Sequence, residues 1–228
     1  LLIIAALTFF MTRMAPGGPF DSEKPIPEEI KERIEAHYGL DKPLLHQYLI
    51  YPKNIITEGS LAVSTSKGRP VKDIISQSFK VSVILGLSAL GIAICIGVPI
   101  GVISAVRKNS WVDWGTMTVA MIGICVPAFT VGPILQIFLA MKLSLFNVAG
   151  WASPRDVVLP AITLGLVTTA YIARLTRSGM LEILSQDYIR TAHAKGLPIS
   201  RVVMKHALRG GLLPAVAYIG PAFAALIS

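Results

Sequence analysis

The chain has 228 residues, of which 53% are hydrophobic and 15% are charged, and it carries a formal net charge of +8. An ordinary soluble domain has about a quarter charged residues. Because the apolar residues fall into long unbroken runs that no soluble surface could cover, this composition excludes a soluble globular enzyme and a disordered chain as leading interpretations.

The first two segments differ in polarity. Residues 1–14 are apolar but too few to cross a bilayer, since a spanning helix needs about 20 residues. We therefore interpret them as the end of a transmembrane helix whose start is missing. Residues 15–78 are polar and nearly balanced in charge, and their patterns predict a short surface helix from Pro27 to near Gly39 and a second over 44–56. We expect this segment to be a folded extracytoplasmic loop.

Four apolar runs follow, and their lengths indicate a transmembrane domain over 79–228. They cover 81–106, 114–141, 157–173 and 212–228, the last of which we expect to be truncated. At a rise of 1.5 Å per residue, the first two can cross a hydrocarbon core of about 30 Å. Only helices satisfy their own backbone groups in lipid within such continuous runs, and the alternation of a membrane β-barrel is absent. The sequence therefore predicts an all-α, polytopic membrane helical bundle.

The short loops predict the orientation of this bundle. Basic residues concentrate in 107–113 and 174–211, whereas the loop 142–156 contains only two. Short loops rich in Lys and Arg stay in the cytoplasm, and long loops are translocated regardless of their charge. We therefore place the first two segments in the cytoplasm, and the loop 142–156 outside together with residues 15–78.

The composition of the spans limits the kind of transport. No ionisable residue lies in the middle of a complete run, which argues against a proton-driven transporter and a voltage-gated channel. The spacing Gly97-x-x-x-Gly101 predicts a face where another helix packs closely, although glycine and proline are also simply common in spanning helices. Gln136 is the largest uncharged polar group in the spans and the best candidate to face a translocation path or another helix.

The segment 174–211 is too long and too regularly patterned to be a simple turn. It predicts two short helices, over 188–195 and 201–209. Asp187 either caps the first of them or lies in its first turn, and Gly196 stops it. From the residues alone, this segment could equally be a basic stretch that lies on anionic lipid head groups.

One segment resembles the EAA loop of ABC importer permeases: DYIRTAHAKGLPISRVVMKHALRGGLLP, residues 187–214. Arg190-Thr191-Ala192 stands in place of Glu-Ala-Ala, and Gly196 matches the glycine of that motif. His206-Ala207-Leu208-Arg209 replaces Ile-x-Leu-Pro, a departure that also occurs in the dipeptide/oligopeptide/nickel permease family. Further matches to that family are Met14–Phe20, Tyr38–Asp41, Val148–Trp151 and Tyr171–Arg177. The chain resembles the family over nearly its whole length, and most closely the subunit that carries a large periplasmic loop.

In that family the EAA loop forms a coupling helix that docks on a separate ATPase subunit. The resemblance therefore implies the type I ABC importer permease fold, in the cytoplasmic (inner) membrane of a prokaryote. It puts the contact with the ATPase at Arg190, Thr191, Ala192, Lys195 and Gly196. It also implies a second homologous permease subunit, an extracytoplasmic solute-binding protein, and di- or oligopeptide substrates moved by ATP hydrolysis on the separate subunits. The same machinery could instead import nickel or glutathione.

No residue pattern indicates catalysis in this chain. The sequence contains neither a phosphate-binding glycine-rich loop nor a cluster of metal ligands, so we expect no catalytic, cofactor-binding or metal site. Its remaining partner is membrane lipid, and no feature indicates nucleic acid binding. An ATP-independent channel or carrier is the alternative from a different class, and it predicts an ionisable residue in mid-span. A non-transporting membrane scaffold is a third.

Overall fold

The computed structural model describes residues 2–14, 42–58, 61, 64 and 69–228. Within these residues the regular structure is helical, and no β-strand occurs among them. The chain divides into two compact units, 1–78 and 79–228, which are described separately. The prediction of an all-α fold is confirmed for this part of the chain.

Two of the helices described in the first unit are in contact. α1 covers Leu2–Met14 and α2 covers Leu44–Glu58. The rings of Phe9 and Tyr48 pack with their centroids 5.6 Å apart, which joins α1 to α2. The predicted helix over 44–56 is confirmed, and it ends slightly later than expected. The other predicted helix, which starts at Pro27, lies outside the described residues.

The longest helix, α3, covers Val71–Val106 and continues into the second unit. It begins well before the predicted apolar run over 81–106, because the polar residues ahead of that run also form helical turns. Asp73 lies in the first turn of α3, where a negative charge favours the helix N-terminus. Hydropathy therefore located the membrane segment but not the start of its helix.

The second apolar run forms two helices rather than one. α4 covers Trp111–Cys125, and α5 covers Ala128–Leu135 and continues as a π-helical turn over Gln136–Lys142. The two helices meet at an angle of 103°. The cause is Pro127, because proline lacks a backbone N–H and disfavours the helical conformation of the residue before it; Val126 is extended, with ψ 121°. The prediction of one continuous span over 114–141 is wrong in this respect.

The last four helices complete the second unit. α6 covers Val158–Leu184 after a 3₁₀ turn over Pro154–Val157, α7 covers Asp187–Ala194, α8 covers Ile199–Gly211 with a π-helical turn over Val202–Ala207, and α9 covers Leu213–Ile227. In the described residues, α3 and α6 are each long and apolar enough to cross a membrane. The bent pairs α4–α5 and α8–α9 raise the count to four if each is one span.

Helices α3 and α6 touch along a seam of small residues. A Cβ atom added at Gly97 would lie 2.7 Å from the carbonyl oxygen of Thr169, and one added at Gly101 would lie 2.5 Å from that of Ala173. Toward the start of both helices, one turn before Thr169 on α6, a Cβ atom at Gly165 would lie 2.8 Å from the carbonyl oxygen of Ala89. The prediction of a close-packing face at Gly97 and Gly101 is confirmed, and α6 is the helix that occupies it.

Candidate functional site

The short helix α7 has one face packed on the chain's own core. Ile189 and Ala192 are 1% and 7% exposed. They belong to one apolar cluster whose other buried members come from α3, α6 and α8, namely Ala105, Met180, Val202, Val203 and Ala207. Because this cluster joins four helices, a displacement of α7 acts directly on the ends of α3 and α6.

This packing corrects the sequence-based interpretation of Ala192. The resemblance put Ala192 at the contact with another subunit, where a small side chain would let a partner approach closely. In the structure its side chain faces the chain's own core. Its small size instead lets α7 lie close against the neighbouring helices of the same chain.

The opposite face of α7 is exposed and cationic. Arg190, Thr191, Lys195 and Gly196 are all exposed. The guanidinium of Arg190 lies 3.3 Å from the carboxylate of Asp187, but the two side chains are 75% and 95% exposed. Exposed ion pairs of this kind contribute typically about 0.2–1 kcal/mol. Arg190 and Lys195 are therefore free to exchange water for another partner at little cost.

Gly196 ends α7 in a left-handed conformation. Its φ is +76°, its N–H donates to the carbonyl of His193 at 2.9 Å, and the N–H of Leu197 donates to the carbonyl of Ala192 at 3.3 Å. This pair of bonds is a Schellman motif, which satisfies the last helix carbonyls and favours glycine. No atom lies within 4 Å of a Cβ added there. The predicted stop is confirmed, and its cause is backbone conformation rather than crowding.

The start of α7 follows one of the two alternatives predicted. Gln186 is the N-cap residue, with ψ 152°, and Asp187 is the first residue of the helix. Asp187 therefore lies in the first turn, where its charge favours the helix N-terminus. α8 then begins at Ile199, slightly earlier than predicted, with Pro198 as its N-cap.

Sequence analysis missed an ion pair at this end of the second unit. Asp113, in the first turn of α4, is 4% exposed. Its carboxylate accepts hydrogen bonds from Nε of Arg177 at 2.6 Å and from Nη2 at 2.7 Å. Ser104 on α3 and the backbone N–H of Asn109 also donate to it. The position of Asp113 at the edge of an otherwise uncharged run can be seen in the sequence. That its partner is Arg177, 64 residues away, cannot be read from the sequence.

Gln136, in the π-helical turn that continues α5, lies near the first residues of α6 and beside a cavity of about 450 Å³. Its side-chain amide donates to the backbone carbonyl of Val148. The cavity is also lined by Asn147 and Asp156. Gln136 therefore meets both a cavity and the loop 142–156, while its amide oxygen remains available as an acceptor.

The loop beside this cavity is held by a second buried carboxylate that sequence analysis did not single out. Asp156 is 9% exposed. It accepts from the backbone N–H groups of Ala152 at 2.8 Å and Ser153 at 2.9 Å, and from the side chain of Asn147 at 2.7 Å. All of its partners lie within nine residues of it, so this anchor is a local one.

Comparison with known proteins supplies the family. Residues 97–228 match the family described as binding-protein-dependent transport system inner membrane component. The whole chain is 41% identical to the dipeptide transport system permease protein DppB of Bacillus subtilis (strain 168), and covers 74% of it. It is 40% identical to the oligopeptide transport system permease protein OppB of Escherichia coli (strain K12), and covers 75% of it. It is 39% identical to the DppB protein of Lactococcus lactis subsp. cremoris (strain MG1363), again covering 75%.

The matched region contains the structural features described above. The α3–α6 seam from Gly97 onward, the Asp113–Arg177 pair and helix α7 all lie within residues 97–228. The predictions of a multi-pass inner-membrane protein, of a permease, and of its family are confirmed by these similarities. The chain belongs to the family of binding-protein-dependent transport system inner membrane components.

Proposed function

We propose that this chain is the permease subunit of an ABC importer for dipeptides or oligopeptides, and that separate subunits hydrolyse the ATP. The relatives named above are dipeptide and oligopeptide permeases, which supports the cargo. The observation that carries the mechanism is α7, which has one face in the chain's own core and an exposed face with cationic side chains. Such a helix is suited to pass a movement from a partner to the membrane helices. The chain itself has no catalytic role.

Docking of the ATPase uses the exposed face of α7. Arg190 and Lys195 can pair with carboxylates on the partner, and Gly196 has open space around its Cα. A desolvated charge pair loses roughly 2–5 kcal/mol of binding free energy when one partner is truncated. At the rim of the interface the loss is much smaller, so the measured loss would report how deeply each cation is buried.

The remaining assembly follows from the orientation predicted by the basic loops. With α7 on the cytoplasmic side, the loop 142–156 and the polar segment 15–78 face the solute-binding protein. A second homologous permease completes the pathway. Gln136 lines this pathway, where its free amide oxygen accepts an N–H of a peptide.

Affinity purification tests the docking directly. The full-length protein is purified from its native membrane as the wild type, as Arg190→Glu/Lys195→Glu, and as the charge-matched control Lys142→Glu/Arg155→Glu. We expect an ATPase to copurify with the wild type and the control, and to be lost from the α7 variant. Gly196 is unsuitable for this purpose, because any side chain there is strained on its own.

The outcomes separate two parts of the proposal. Absence of any ATPase from the wild type would overturn the transporter function. Retention by the Arg190→Glu/Lys195→Glu variant would overturn only the contact at α7.

The cargo is tested by uptake into cells that lack the chain and into cells that have regained it. Labelled dipeptides and tripeptides should accumulate only in the complemented cells, and unlabelled peptide should compete. Uptake of labelled nickel or glutathione, without uptake of peptide, would contradict the peptide cargo. The proposal that the chain is a permease subunit of an ABC importer would still stand.

A further inference from the structure

The Asp113–Arg177 pair joins three helices at one point. Arg177 on α6 contacts both carboxylate oxygens of Asp113 on α4, in the parallel, two-bond geometry that is specific to arginine. The hydroxyl of Ser104 on α3 donates to the same carboxylate. Among the described residues this is the one ion pair that links different helices, since the other lies within α7.

The turn between α3 and α4 is fixed by the same carboxylate. The N–H of Asn109 donates to Asp113 at 3.0 Å, and Asn109 has a φ of +62°. The hydroxyl of Ser110 accepts from the N–H of Asp113 at 3.3 Å and caps α4. Asp113 is thereby satisfied from both sides, as a buried charge must be. The turn cannot move away from α6 without leaving that charge unpaired.

The pair lies directly beside the apolar cluster on which α7 rests. Ala105, next to Ser104, is a buried member of that cluster, and so is Met180, one turn after Arg177. The energy of the apolar contacts in this cluster depends on the area they bury and little on direction. The energy of the buried ion pair depends on the alignment of two hydrogen bonds, so the pair resists a displacement that the cluster alone would permit.

We propose that Asp113 and Arg177 are positioning residues for transport, which hold α3, α4 and α6 together so that a displacement of α7 moves them as one body. This proposal rests on the proposed function. It assigns the pair a role in energy coupling, beyond its contribution to folding. Loss of the pair lets α7 move while α4 stays behind, and ATP is then hydrolysed without import.

The test measures ATP hydrolysed per peptide imported, with the complete transporter in proteoliposomes. The variants are Arg177→Lys, Asp113→Asn, Arg177→Gln and the double Asp113→Asn/Arg177→Gln. Arg177→Lys is the most informative, because lysine keeps a charge opposite Asp113 but cannot form the two parallel bonds. The control is Arg174→Gln, which removes an exposed arginine about one turn before Arg177 on the same helix.

We expect each single variant to raise this ratio about tenfold, a size usual for coupling between sites. The double variant should be no worse than the poorer single variant, since both changes remove the same interaction. The amount of ATPase that copurifies per permease should remain that of the wild type, and Arg174→Gln should leave the ratio unchanged.

Two results would overturn the proposal. One is an unchanged ratio in Arg177→Lys and Asp113→Asn, with import and hydrolysis falling together as less transporter assembles. The other is a double variant whose ratio is the product of the two single effects. Failure of the proposed function is distinguishable from both, because the wild type would then hold no ATPase at all.

Discussion

A buried carboxylate lies near each end of α6, Asp113 on the neighbouring α4 and Asp156 in the turn before α6, and the two are stabilised in different ways. Asp113 is neutralised by a guanidinium from a helix 64 residues away. Asp156 is satisfied by backbone N–H groups and short polar side chains within nine residues. The first therefore connects helices to one another, whereas the second shapes a single loop.

The difference predicts different costs of disruption. Removing the partner of a buried charge leaves that charge uncompensated, which is among the most expensive changes in a protein. Disrupting a loop anchor releases groups that water can reach, since Ala152 and Asn147 are already exposed. We therefore expect the helices linked by Asp113 to move as one body, and the loop anchored by Asp156 to change conformation independently of them.

Arg177→Ala should have the largest effect of the changes considered. It leaves Asp113 buried and unpaired, and we expect a loss of about 3–5 kcal/mol of unfolding free energy. The measurement is denaturant unfolding in detergent, followed by tryptophan fluorescence, to which Trp111 and Trp114 on α4 contribute.

The matched control for that change is the double variant Asp113→Asn/Arg177→Ala, which removes the charge as well. It should be more stable than Arg177→Ala alone. Equal stability of the two variants would mean that water already reaches Asp113, and the contrast between the two ends would fail.

Asp156→Ala should have a smaller and more local effect. It removes the acceptor of two backbone N–H groups, and each such loss costs about 1–3 kcal/mol when water cannot replace it. We expect hydrogen exchange to rise in the loop 143–153 and to stay unchanged in α4 and α7. Asp156→Asn, which keeps one acceptor oxygen, should lie between Asp156→Ala and the wild type. Increased exchange throughout the second unit would show that this anchor is not local.

Glycine substitutions can compare how tightly the neighbouring helices pack near the two ends of α6. A Cβ atom at Gly101, one turn before Ser104, would press against the backbone of α6, so Gly101→Ala should cost about 1–3 kcal/mol. Gly132 borders the cavity at the other end, and its added Cβ atom would lie 3.5 Å from Thr163, an ordinary contact. Gly132→Ala should therefore be tolerated. The thermal unfolding temperatures of the two variants in detergent decide this, and equal destabilisation would contradict it.

Arg190→Ala should have the smallest effect on stability. Its ion pair with Asp187 is exposed on both sides, and surface changes of this kind usually stay within about ±0.5 kcal/mol. The same denaturant titration applies. A loss comparable to that of Arg177→Ala would mean that exposure does not distinguish the two pairs.

The features that could be predicted from the sequence are those determined by neighbouring residues. The end of α7 at Gly196 depends on one residue in a left-handed conformation, and its start depends on an acid in the first turn. The close face at Gly97 and Gly101 depends on spacing along one helix. In each case the physical cause lies within about one or two turns.

The features that could not be predicted depend on distant residues. The pairing of Asp113 with Arg177 requires α4 and α6 to be already placed side by side. The direction in which Ala192 points depends on the cluster formed by three other helices. The bend at Pro127 had a visible cause, but continuous hydropathy reports the length of an apolar run and carries no information about its direction.

The seam between α3 and α6 has a consequence for how this bundle can vary and move. Where two helices touch backbone to backbone, no side chain can repack to absorb a change, so even one added methyl group must push the axes apart. Amino acid replacement should therefore be tolerated on the flanks that face lipid and rejected along this line. The two helices should also shift as a single stiff element, so that conformational change in the second unit takes place around them.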